Sequence, residues 1–112
     1  MRRYRLTTRV RGKVEHERFN NVEAALVALE RSGHRLQGQA DAESVGGSLM
    51  RRYEPEQLVS ARLEIRGRGV HGGVDIRGDG SAVPFSGRFL RKEIVRADGE
   101  NAYDALRRTL SE

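Results

Sequence analysis

Of the 21 basic side chains in this 112-residue chain, 19 are arginine. Arginine presents a planar, permanently charged fork that matches phosphate and carboxylate oxygens. Alternation puts Arg5, Arg9 and Arg11 on one face of a first strand. It puts Arg62, Arg66, Arg77 and Arg88 on the outer face of a later three-strand meander. If both groups join one sheet, they form a single basic surface opposite the helices. The chemistry of such a surface is contact with nucleic-acid phosphates, on DNA or RNA, without reading bases. Glu64 and Asp75 dilute it. An Arg-for-Lys bias is also what a GC-rich coding sequence produces with no function attached.

Other motifs suggest chemistry that their surroundings reject. Gly67-Arg68-Gly69-Val70-His71-Gly72 has the G-x-G-x-x-G spacing of a dinucleotide loop. That loop needs a helix N-terminus facing the pyrophosphate, and here a strand is expected to follow. The same string with Val74 matches a kinase glycine loop, but the 38 residues after Val74 hold no catalytic loop or metal-binding motif. Arg77-Gly78-Asp79 reads as a hairpin tip. Asp75 to Gly80 resembles half of a calcium loop, with Arg77 in place of a ligand and no flanking helix. His16, His34 and His71 share no metal-ligand spacing. His71 falls on the outer sheet face near Glu64 and Arg88, where a solvated polar ladder is expected rather than a proton-transfer dyad. With no Cys and no nucleophile–base–orienter set, we expect neither an enzyme nor a metal or other cofactor.

Composition bounds the setting. The formal charge is +5 and the pI near 10.4. Residues 1–20 carry +5 and 61–96 carry +4, while 21–60 and 97–112 each carry −2. The positive segments are the expected strands, and the negative ones hold the expected helices. Hydrophobic residues make up 37% of the chain and no run of them is long enough to span a membrane. Met1-Arg2-Arg3-Tyr4-Arg5 has no apolar stretch behind it, as a signal peptide would. The expectation is one cytoplasmic domain over residues 1–112 with no membrane partner.

These side chains need a scaffold. Residues 3–11 alternate as a half-buried strand, Gly12-Lys13 turns, and 14–19 return as a poorly patterned edge strand. Asn20 with Glu23 suggests a capping box for a first helix, whose stripe is Val22, Ala25, Leu26 and Leu29 and whose stop is Gly33. Residues 37–48 lack period and bulk and read as a surface loop, from which Leu49, Met50 and Tyr53 tuck back before Pro55. Residues 57–96 read as an antiparallel meander. A four-residue loop, 66–69, sets Val70 opposite Ile65, and a two-residue Asp79-Gly80 turn sets Val74 opposite Phe85 and Val70 opposite Phe89. That register leaves no aromatic on the outer meander face, so base stacking is disfavoured. It also makes a notch of Gly72 and Gly87 beside Leu63, where a helix could come close, and Pro84 marks an edge. A second helix spans 101–110, capped by Asn101, with Asp104 paired to Arg108.

The expected fold is α+β: two layers, a mainly antiparallel sheet of four to five strands with two helices on one face, in the order β-β-α-β-β-β-α. The expected core is Leu6, Val10, Phe19, Val22, Leu26, Leu29, Val59, Leu63, Ile65, Val74, Ile76, Phe85, Leu106 and Leu110.

Two stretches resemble known families. Arg9-Val10-Arg11-Gly12-Lys13 through Phe19 to Ala24 resembles the strand–Gly-Lys–strand–Phe–helix pattern of AP2-like arm domains of phage integrases. Helix, three strands, helix is the element order of double-stranded-RNA-binding domains and of ribosome hibernation factors. Glu100 to Leu106 is similar to the start of the last helix of the latter. The Lys pair that double-stranded-RNA domains carry at their second helix is absent. Element order alone carries no function. Two expectations go forward: a non-enzymatic, sequence-nonspecific nucleic-acid binder or, as the alternative, a protein-interaction module that self-associates, with a homodimer as its commonest form.

Overall fold

The computed structural model describes residues 3–46 and 59–111, and from 41 to 46 the backbone alone. Its elements are β1 (Tyr4–Val10), β2 (Lys13–Phe19), α1 (Val22–Gly46), β3 (Val59–Gly67), β4 (Val70–Arg77), β5 (Ala82–Ser86), β6 (Lys92–Glu93) and α2 (Ala102–Leu110). They form one antiparallel sheet in the order β2-β1-β3-β4-β5-β6. Both helices cover one face, so the α+β two-layer class holds. The sheet has six strands rather than four or five, because a two-residue β6 closes over β5. Pro84 is therefore not on an edge: β4 and β6 flank its strand, and its carbonyl accepts the Ile94 N–H at 2.9 Å.

The core fills the space between sheet and helices. Leu6, Leu63, Ile65, Val74 and Ile76 meet Leu26, Leu29 and Leu106, all buried. Val10, Phe19, Val22 and Leu110 pack at its margin. Val59 departs from expectation and is exposed, because the β3–β4 register shifts between Val59 and Ala61. Gly72 does provide a close approach: a Cβ there would lie 3.0 Å from Leu110 and 3.3 Å from Leu106. Its cross-strand partners are Ile65 and Ser86, however, not Leu63 and Gly87.

Three hairpins set the faces of the sheet. Arg11-Gly12 and Arg68-Gly69 are two-residue turns with positive φ at both residues, 50° and 82° in the first, 46° and 79° in the second. Paired positive φ values are what a type I′ turn needs, and its twist matches the strands it joins. The second turn is two residues shorter than expected. The register moves by two, Ile65 faces Gly72, and the side chains from Ala61 to Ile65 keep their faces. The third hairpin behaves otherwise. Gly78-Asp79-Gly80 forms a three-residue loop closed by Gly80 N–H to the Arg77 carbonyl at 2.9 Å, with Gly80 at φ 88°. Asp79 accepts from both the backbone and hydroxyl of Ser81, which favours this loop over the two-residue turn. The register slips by one, and β5 turns over. Val74 faces Pro84, while Phe85 faces Gly73 on the outer side of the sheet.

Helix α1 also corrects the sequence reading. Its cap is Asn21, whose side chain accepts the Ala24 N–H at 2.8 Å, not Asn20. It does not stop at Gly33 but runs on to Gly46, so 37–46 are helical rather than loop. Gly33 serves the approach of α2: a Cβ there would collide with the Tyr103 ring. Tyr103 donates to Gln37 at 2.6 Å, and Gln37 donates to the Gly80 carbonyl at 2.9 Å, which ties both helices to the third hairpin. Burial raises the Tyr103 phenol above its usual range, helped by the Glu30 charge. In α2 the capping box joins Asn101 to Asp104, and Arg108 pairs instead with Glu100 at 2.9 Å. The expected tuck of Leu49, Met50 and Tyr53 before Pro55 lies outside the described residues.

Candidate nucleic-acid interface

The face opposite the helices carries the charge. Strand alternation and register place three rows across it. The middle row is His16–Thr7–Glu64–Gly73–Phe85. On one side lies Val14–Arg9–Arg62–Asp75–Val83, and on the other Arg18–Arg5–Arg66–His71.

Toward β4 and β5 this face is closed. The Phe85 ring lies across Gly73, where a Cβ would meet its Cζ at 2.9 Å, and the residue is 4% exposed. Two guanidinium groups flank the ring, Arg62 at 5.7 Å and Arg91 at 5.5 Å from its centroid. Both are also held by carboxylates. Arg62 donates to Asp75 through Nε at 2.6 Å and Nη2 at 3.1 Å. The Asp75 hydrogen bond raises the Arg62 pKa further. Arg91 donates to Glu64 at 3.2 Å, and the Glu64 carboxylate lies 2.8 Å from His71 Nε2. Burial pushes the Glu64 carboxyl up, but the His71 hydrogen bond and the Arg91 charge outweigh it and hold it below the usual range. His71 is thus no solvated ladder residue. Its side chain is 12% exposed, its partners are Glu64 and its β3 neighbour Arg66 rather than Arg88, and its buried Nδ1 has no hydrogen-bond partner among the described residues.

Toward β2 the face is open. Arg18, Arg5 and Arg66 sit at facing positions on three adjacent strands. No carboxylate pairs with any of them among the described residues. At a strand spacing near 4.8 Å the row spans about 10 Å. Like charges at facing positions repel. Arg9 flanks the row beyond Thr7, whose hydroxyl lies 3.0 Å from His16 Nδ1.

The structure therefore sorts the seven expected arginines. Arg5, Arg9 and Arg66 come together on the open half. Arg62 is on the same face but bound to Asp75, and Arg77 lies at the far end of β4. Arg11 occupies the β1–β2 turn and lines a recess with Leu36 and Ala40 on the helix side. Arg88 lies past the end of β5, in a groove of about 620 Å³ with Arg66, Arg68 and His71. The expectation of no outer-face aromatic is overturned by the slip at the third hairpin. Sequence reasoning missed Arg18, Arg68 and Arg91. The missed signal for Arg18 was the turn: closing β1 on β2 through Arg11-Gly12 puts it opposite Arg5. Comparison with family models, with curated proteins and with solved structures finds no match to this chain.

Proposed function

We propose that the chain binds nucleic acid through phosphates, without base readout, at the open half of the outer sheet face. One observation carries this reading. Arg18, Arg5 and Arg66 form a row of facing guanidinium side chains with no carboxylate partner among the described residues. Facing like charges cost stability unless an anion sits between them. A polyphosphate backbone supplies such anions at regular spacing, and Arg binds them by paired hydrogen bonds.

The alternative, self-association, would use the free edge of β2, the longer of the two sheet edges. A symmetric pairing about His16 would set Glu15 against Glu17, and charged residues along an edge oppose added strands. Light scattering is expected to find a monomer.

The test of the main reading is fluorescence anisotropy at low salt against duplex DNA, duplex RNA and single strands, all with hydroxyl ends. Micromolar binding with little sequence preference is expected. Its logarithm should fall linearly with that of salt, by about 0.9 per phosphate neutralised on B-DNA and about 0.7 on single strands. Arg5→Glu with Arg66→Glu should weaken every ligand alike. Absence of binding to all of them sinks the reading.

A further inference from the structure

A groove opens past the basic row and shares Arg66 with it. The β3–β4 turn and the end of β5 form it, and its lining includes Arg66, Arg68, Arg88, His71, Gly69 and Gly87. Among the described residues no acidic one lines it. Its volume of about 620 Å³ falls in the range of small-ligand sites. Three arginines lining one concavity exceed what a singly charged diester needs, whereas a phosphate monoester carries nearly two charges and three acceptor oxygens. His71 also lines the groove, with its Nε2 2.8 Å from the Glu64 carboxylate.

We infer that this groove takes a phosphate monoester, and specifically the terminal phosphate of a nucleic-acid strand. This rests on the proposed backbone-binding role for its choice of ligand. Arg66 belongs both to the groove and to the basic row, so a strand lying along Arg18–Arg5–Arg66 ends in it. Beside it Phe89 is 89% exposed, with the Arg88 guanidinium 5.5 Å from its ring centroid. An exposed aromatic ring next to bound phosphate is a platform for the terminal base.

The experiment compares internally labelled single strands ending in a 5′-phosphate, a 3′-phosphate or hydroxyls only, with AMP and a phosphoserine peptide as competitors. One phosphorylated end is expected to bind about tenfold more tightly than the hydroxyl-ended strand. Arg68→Asn, which keeps a residue tolerant of positive φ in the turn, should bring that ratio toward one with the melting temperature retained. Arg88→Gln should do the same. Equal binding of all three strands overturns the inference and leaves the backbone reading standing. Binding of phosphorylated strands alone supports the inference and removes the backbone reading. No binding by any strand removes both. Displacement by AMP as effective as by the phosphorylated strand overturns the strand end as the source of the monoester. Tighter binding of the phosphoserine peptide overturns the nucleic-acid assignment.

Discussion

On the outer face of the sheet, Arg62 and Arg91 lie on either side of Phe85 and are tied to Asp75 and Glu64, while Arg18, Arg5 and Arg66 stand in a row with no such partner among the described residues. The two halves use the same residue type for opposite purposes. In the first, arginine caps an aromatic ring and neutralises two carboxylates, which contributes to stability and leaves little charge to offer. In the second, arginines at facing positions repel one another slightly and have no carboxylate partner among the described residues, and the proposed reading has them meet an anion. Availability is thus decided by which residue sits at the next register position, and the net charge of +5 carries none of that information.

The sharpest way to break the contrast is Phe85→Ala. The ring fills the space over Gly73, so its loss should destabilise the fold by about 3 kcal/mol in thermal or urea unfolding. A parent-like midpoint would show that the closed half is not a packed unit. Next comes Asp75→Ala, which leaves the half-buried Arg62 unpaired and should cost about 1–3 kcal/mol. Nucleic-acid affinity should persist, because Arg62 lies outside the open row. Acid provides a third probe. The Glu64 carboxyl is held low by His71 and Arg91 against the upward push of burial. The Glu100 carboxyl is held at about 2 by Arg108 and the Ala97 N–H. A lowered folded-state pKa contributes stability above the ordinary carboxylate range and loses it as pH falls through the folded value. Unfolding midpoints should therefore drop between pH 4.5 and about 2. Glu100→Gln should flatten that drop and leave binding at neutral pH unchanged. The smallest expected change in stability belongs to Arg5→Thr. Relief of repulsion from Arg18 and Arg66 should leave the fold unchanged or up to ~0.5 kcal/mol more stable. Affinity should fall, and the salt slope on single strands should lose about 0.7. A destabilised Arg5→Thr variant would mean that the open row is structural after all.

Much of the scaffold was legible because it depends on local period and local turn chemistry. Alternation along 4–10 and 61–67 set which residues of β1 and β3 face the helices. The stripe at Val22, Ala25, Leu26 and Leu29 set the face of α1, and Asn101 announced the start of α2. Gly33 shows the limit of such signals. A glycine after an apolar stripe reads as a helix stop, and only the Tyr103 ring packed against it reveals an interior position that must lack a Cβ.

The candidate site was less legible, and the hairpins show why. The β3–β4 turn differed from expectation by two register positions and changed no face. The β4–β5 turn differed by one and moved Phe85 from the core side to the outer side. Strand pattern alone cannot tell these cases apart, since Val83 and Phe85 are apolar and suit either face.

The sequence by itself determined the α+β class, the antiparallel meander, most of the apolar core and the excess of arginine, because these follow from period, turn residues and composition within short windows. Only the tertiary structure decided which arginines pair with a carboxylate. That depends on pairs far apart in the chain, such as Arg62 with Asp75, Arg91 with Glu64 and Arg5 with Arg66, and on a loop length whose single-residue change turns a strand over. A side chain's charge is local, but what neutralises it is set by register.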